Sequence, residues 1–148
     1  MRELVISVLA LAVAAFVAVS GIGYVSPGAA TRTEATAAAT AGFRAYGGAL
    51  TAYRISNRTL PSPAVWREEL APYLPGGSPL APKGYAWSFG QDAAGPWFCI
   101  SADAVEGRLQ ALRKAAAMFP HGAVSVGGAC AGEGGAEAVA ATYRPIGS

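Results

Sequence analysis

Hydrophobic and polar positions follow three rhythms along this chain. From Leu4 to Val25 there is no alternation. The stretch runs 22 residues without a charge, and twelve of them are Leu, Ile, Val or Phe. At the usual helical rise it measures about 33 Å, enough for a hydrocarbon core of about 30 Å. The twelve large residues favour insertion by about 4 to 7 kcal/mol. Tyr24 stands where an interfacial aromatic belongs, and Pro27-Gly28 is expected to stop the helix as the chain meets water.

The second rhythm is helical. Between Thr31 and Arg54, the residues Phe43, Tyr46, Leu50 and Tyr53 are spaced to share one face, which should cover a core. Gly47-Gly48 in the middle of that helix predicts a bend or a close crossing by another element. Asn57 to Pro63 reads as a loop. Ser62 as N-cap and Pro63 at the first helical position predict a short helix through Tyr73, with Trp66 and Leu70 on one side. Pro75-Gly76-Gly77-Ser78-Pro79 and Pro82 mark a turn-rich connection.

The third rhythm has a period of two. Tyr85 to Phe89 alternates large aromatic with small residues, and Trp97 to Ser101 is a second short apolar run, so Gly90 to Pro96 should join them as a β-hairpin. Asp103 and Glu106 have capping-box spacing, ahead of a helix whose face is Val105, Leu109, Leu112, Ala116 and Phe119, ended by Pro120 and Gly122. Ala123 to Val126 and Val139 to Tyr143 are two further strands, with glycine-rich chain between them. The expected fold is α+β: an N-terminal transmembrane helix continuing into a soluble helix, then a small antiparallel sheet with a packed helix. Residues 1–26 would be the transmembrane anchor and 27–148 an extracytoplasmic domain.

Composition changes this picture little. The chain is 53% apolar, but much of the excess is alanine or lies in the opening stretch, and the rest has a globular balance. Arg2 and Glu3 cancel, leaving ten basic and eight acidic residues after Val25 with no block of one sign, so nothing marks a nucleic-acid surface. The rival to an anchor is a cleaved signal peptide, with small-residue sites at Gly28-Ala29-Ala30 and Ala18-Val19-Ser20. The length of the apolar run exceeds a usual signal core, and its single basic flank is neutralised, which favours the anchor. Ala10, Ala14 and Ala18 form a small-residue face suited to a lateral helix partner in the bilayer.

The positive-inside rule gives little help with orientation, because Arg32, Arg44 and Arg54 follow the span while Arg2 precedes it. The cysteines settle the expectation. Cys99 and Cys130 are the only two, in apolar surroundings and outside any C-x-x-C or Cys/His cluster, which reads as a structural disulfide. Such a bond persists outside the cytoplasm and puts the domain in the periplasm of a bacterial-type inner membrane.

Candidate chemistry is sparse. His121 is the single histidine, with no acidic residue near it in sequence, and reads as a loop residue. Glu68 and Glu69, adjacent on a helix, point about 100° apart and cannot face each other as glycosidic carboxylates must. No metal cluster, cofactor motif or phosphate loop is present. Asn57-Arg58-Thr59 has the form of a glycosylation acceptor but reads as a turn. Trp66, Trp87 and Trp97 suit a core better than a ligand-stacking surface.

The order of these parts resembles the pilin-like proteins of type IV pilus and type II secretion systems: an apolar helix leading to a soluble helix, Leu60-Pro61 after it, a Trp-containing short helix, aromatic strands and two late cysteines. In that family two late cysteines bracket a variable C-terminal region, which Cys99 and Cys130 would match. The opening Met1-Arg2-Glu3 departs from the prepilin pattern, a basic leader ending in Gly with Glu at the fifth mature position. A closer likeness is to the small bitopic accessory proteins of type IVb pilus clusters, the PilM family, with an uncleaved span and an Ala-rich helix ending in a stretch such as Phe43 to Tyr53.

That likeness implies a non-enzymatic, membrane-anchored component of pilus assembly without a cofactor. Its partners would be other pilus-assembly proteins or pilins, met through the transmembrane helix and the periplasmic domain. The alternative is a minor pilin or pseudopilin built into the fibre. A periplasmic binding module or enzyme would instead require a polar cleft, for instance beside His121.

Overall fold

The computed structural model of the chain describes residues 27–132 and 137–145. Two compact units are delimited, Met1–Thr31 and Arg32–Ser148, and the fold described below is that of the second. Its described residues are α+β, with three α-helices and a four-stranded antiparallel sheet. Among the described residues no helix is long and apolar enough to cross a membrane. The expected span Leu4 to Val25 and its face Ala10, Ala14 and Ala18 lie outside the described residues.

Helix α1 (Pro27–Asn57) is longer at both ends than its apolar spacing predicts. Pro27-Gly28 begins this helix, where proline lacks only an N–H that a first helical turn leaves unbonded anyway; the apolar helix that the pair is expected to stop lies outside the described residues. At the far end Arg58 takes a left-handed conformation (φ 57°), and its N–H bonds Arg54 O at 2.8 Å, closing the last turn. The predicted face is the buried one: Phe43, Tyr46, Leu50 and Tyr53 all lie in the core, joined by Ala35, Ala39 and Ala49.

Helix α2 (Trp66–Leu70) starts later than predicted. Ser62 is not its N-cap and Pro63 is not its first residue. The segment between makes a separate turn, with Val65 N–H bonded to Ser62 O at 3.1 Å, and Val65 precedes the helix. A 3-10 turn, Ala71–Tyr73, carries the chain to the predicted end.

Strands β1 (Tyr85–Asp92) and β2 (Gly95–Asp103) form the expected hairpin, but they run several residues further toward each other than the apolar pattern alone indicates. The turn between them is just Ala93-Ala94, closed by Ala94 N–H on Asp92 Oδ1 at 2.9 Å and by Gly95 at φ 110°. Helix α3 (Arg108–Ala116) corrects the capping-box reading. Asp103 ends β2, and the N-cap is Gly107 in a left-handed conformation that brings the backbone past the Arg32 side chain. The buried face of α3 is accordingly Ala111, Leu112 and Ala115, while Val105 is 55% exposed. Strands β3 (Val124–Gly127) and β4 (Ala138–Tyr143) are close to their predicted bounds.

The strand order is β1-β2-β4-β3, all neighbours antiparallel. Strands β2 and β3 therefore run parallel with β4 between them, a split βαβ unit whose crossover is α3. Strand alternation then defines two faces. The inner face carries Trp87, Phe89, Phe98, Ile100, Ala141 and Tyr143, and it packs against α1 and α2. Tyr46 is stacked on Phe98 at 5.1 Å and meets Trp66 and Trp87 edge-on, so four elements share one aromatic cluster.

Two glycines make that packing fit. At Gly42 a Cβ would fall within the indole ring of Trp87, and at Gly47 it would stand 3.0 Å from the Tyr143 ring. The expected close crossing at Gly47 is therefore real, whereas Gly48 meets nothing within 4 Å.

Candidate functional site

The outer sheet face is built from the alternate residues, and they are mostly small: Ala86, Ser88 and Gly90 on β1, Cys99 and Ser101 on β2, Ala140 and Thr142 on β4. Such a face has little apolar area of its own to bury. The chain after β3 returns across it, and the Cys99–Cys130 disulfide fastens that return, with Cα atoms 5.7 Å apart. Cys99 is fully buried beneath it. Thr142, 2% exposed, is a second tie: its Oγ1 accepts the Ala131 N–H at 3.0 Å and lies 3.7 Å from Cys99 Sγ. Ser88 Oγ stands 3.4 Å from Cys130 Sγ. The two late cysteines thus join the hairpin to the C-terminal third of the domain, as their sequence context predicts.

At the tip of the hairpin the same face carries a different set of groups. Asp92 and Trp97 belong to it by strand alternation, and Arg144 lies one residue past β4 on the same side. The Arg144 guanidinium reaches over β2 at Gly95, which has no side chain of its own. Nη1 bonds Asp92 Oδ1 at 2.9 Å and Gly95 O at 3.4 Å, and Nη2 bonds Asp92 Oδ2 at 2.5 Å. The pair is bidentate, with the arginine and aspartate side chains 31% and 36% exposed. The Arg144 hydrogen bonds, with help from Ala94 N–H, hold the Asp92 carboxyl below its ordinary value. Beside it the half-buried Trp97 lays its ring over Gly90, directly across the ladder, where a Cβ would collide with it.

The other candidates resolve into structural roles. Trp66 and Trp87 are 4% and 5% exposed core residues, as expected, while Trp97 is on the opposite face of the sheet. His121 is exposed in the turn after Pro120. Glu69 is a brace: Oε1 accepts the Tyr53 hydroxyl at 3.1 Å and Oε2 accepts the Ser62 N–H at 2.6 Å, tying α1 to α2. Burial first, and then that carboxylate, push the Tyr53 phenol up. Glu68 is exposed and does not share the brace. The Asn57 amide is occupied within the fold, donating to Tyr53 O and Tyr73 Oη, each at 3.1 Å.

A shallow depression of about 360 Å³ opens at the other end of the hairpin, lined by Gly84, Ala86, Ser101, Asp103 and Ala138 among others. His121 is not among its lining residues. Among the described residues no cluster of His, Cys, Asp or Glu could hold a metal ion.

The fold and the site together define an α+β domain in which a long N-terminal helix lies on an antiparallel sheet and a disulfide closes the C-terminal region. No protein-family model matches the chain, and neither the curated proteins nor the solved structures contain a significant match.

Proposed function

We propose that the protein is a non-enzymatic, membrane-anchored component of type IV (IVb) pilus assembly, held in a bacterial inner membrane with its folded domain in the periplasm. The observation that carries this reading is the order of parts. An uncharged apolar run of membrane-spanning length precedes a 31-residue helix, and that helix is followed by an aromatic-cored sheet and a late disulfide. The apolar run supplies attachment, and the disulfide accords with an oxidising compartment. The sparse chemistry of the described side chains suits a part that works by contact.

Fractionation of cells making the full chain tests the reading. Recovery in inner membranes after carbonate washing, with both thiols blocked to alkylation until reduced, is the expected result. Release by carbonate, or two thiols that alkylate without reductant, would overturn it. Mechanical shearing separates the alternative: protein recovered within sheared fibres identifies a minor pilin.

A further inference from the structure

We propose that the hairpin tip is a saccharide-binding platform, in which the Trp97 ring stacks on the apolar face of a neutral sugar and Asp92 and Arg144 bond its hydroxyls. The inference is independent of the pilus reading and rests on three features of one small area. Trp97 is the tryptophan that the core does not use, and Gly90 opposite it keeps its ring lying along the sheet. A planar ring held this way loses little freedom when a second flat surface is laid on it, and an indole face suits the C–H side of a pyranose.

The neighbouring ion pair is already assembled, with its side chains 31% and 36% exposed, and among the described residues it is not saturated. Of the five N–H groups of a guanidinium, the bonds to Asp92 and Gly95 occupy three, which among the described residues leaves Nε and one hydrogen of Nη2. The carboxylate accepts from Arg144 twice and from Ala94 once, leaving one of about four lone-pair positions. Two donors and an acceptor beside a ring form the mixed set that vicinal hydroxyls satisfy.

Charge decides between ligand classes. A lone Asp92 beside Trp97 would suit a quaternary ammonium, and a lone Arg144 would suit a phosphate or carboxylate. Their bidentate pairing cancels the net charge, so a neutral polyhydroxyl ligand is favoured over both.

The test is a titration of the ¹⁵N-labelled full chain in detergent micelles with N-acetylchitotetraose and, separately, maltotetraose, following the three indole N–H resonances. The expected result is a saturable shift of Trp97 with at least one glycan while Trp66 and Trp87 stay in place. Asp92→Asn should weaken that binding on the order of tenfold, the effect of losing a charge-assisted hydrogen bond. Trp97→Ala should abolish it. Because Trp97→Ala also uncovers Gly90, Trp97→Phe is its companion and should bind more weakly but measurably. An unmoved Trp97 resonance with both glycans at millimolar concentration overturns the proposal. So does an equal shift with choline chloride, or binding that survives Trp97→Ala.

Discussion

Gly42 and Gly48 stand six positions apart on the same helix, yet a methyl group should have opposite effects at the two. At Gly42 it would enter the space of Trp87, and Gly42→Ala is expected to destabilise the domain by about 1 to 3 kcal/mol through overpacking. At Gly48 it meets nothing, and Gly48→Ala is expected to stabilise by up to about 1 kcal/mol through helix propensity. Urea unfolding of the two variants, compared at equal m-value, checks both signs. A second prediction belongs to Asp92. Its carboxyl is held below the ordinary value by Arg144, so the pair's contribution is present above the unfolded-state value and is lost as pH falls through the folded-state value. Melting temperatures of wild type and Asp92→Asn should therefore differ near neutrality and converge in acid. A constant difference across that range would show that the pair does not stabilise through its charge.

Among the elements, the returning chain after β3 depends most on a covalent tie. Its face of the sheet is made of small residues, so little apolar burial holds it there, and the disulfide closes a loop with a separation of 31 residues. On the chain-entropy estimate Cys99→Ser with Cys130→Ser costs about 4 kcal/mol, measured as the shift in denaturation midpoint under non-reducing conditions. The brace from Glu69 to Tyr53 and Ser62 is the corresponding tie between α1 and α2. Glu69→Gln should lose about 1 to 2 kcal/mol, because a neutral amide replaces the charged acceptor. Amide exchange at Ser62 reports it directly and should accelerate in the variant.

The domain as a whole is organised around one aromatic cluster to which α1, α2, β1 and β2 all contribute. Phe98 sits at its middle, fully buried and in contact with Tyr46, Trp66 and Phe89. Phe98→Ala is expected to cost about 3 to 5 kcal/mol. Because the cluster is shared, helical circular dichroism and tryptophan fluorescence should lose their native signals in one coincident transition, in the variant as in wild type. Separate midpoints for the two probes would mean that α1 and the sheet do not unfold together.

Local periodicity was sufficient to read most of this architecture from the chain. The buried face of α1, the hairpin, the strands after α3 and the cysteine pair all follow from spacing and residue type, because helix and strand repeat over intervals that a few residues reveal. Helix starts were less legible. Ser62 and Asp103 had suitable chemistry for caps, but the Ser62 carbonyl closes a separate turn with Val65, and pairing with the distant Ala138 keeps the Asp103 backbone in β2. Gly42 likewise looked unremarkable beside Gly47-Gly48, since nothing in the chain shows that Trp87 will stand opposite it.

The hairpin-tip site was not legible at all. Asp92 and Arg144 are 52 positions apart, and Trp97 reads in sequence as one core tryptophan among three. The elements and the apolar side of each were written into the chain, because both are set by neighbours within a few residues. Which outward-facing polar groups meet depended on the assembled fold. Strand order and register set that, and they arise from packing the whole sheet against α1, a constraint that no local window of residues contains.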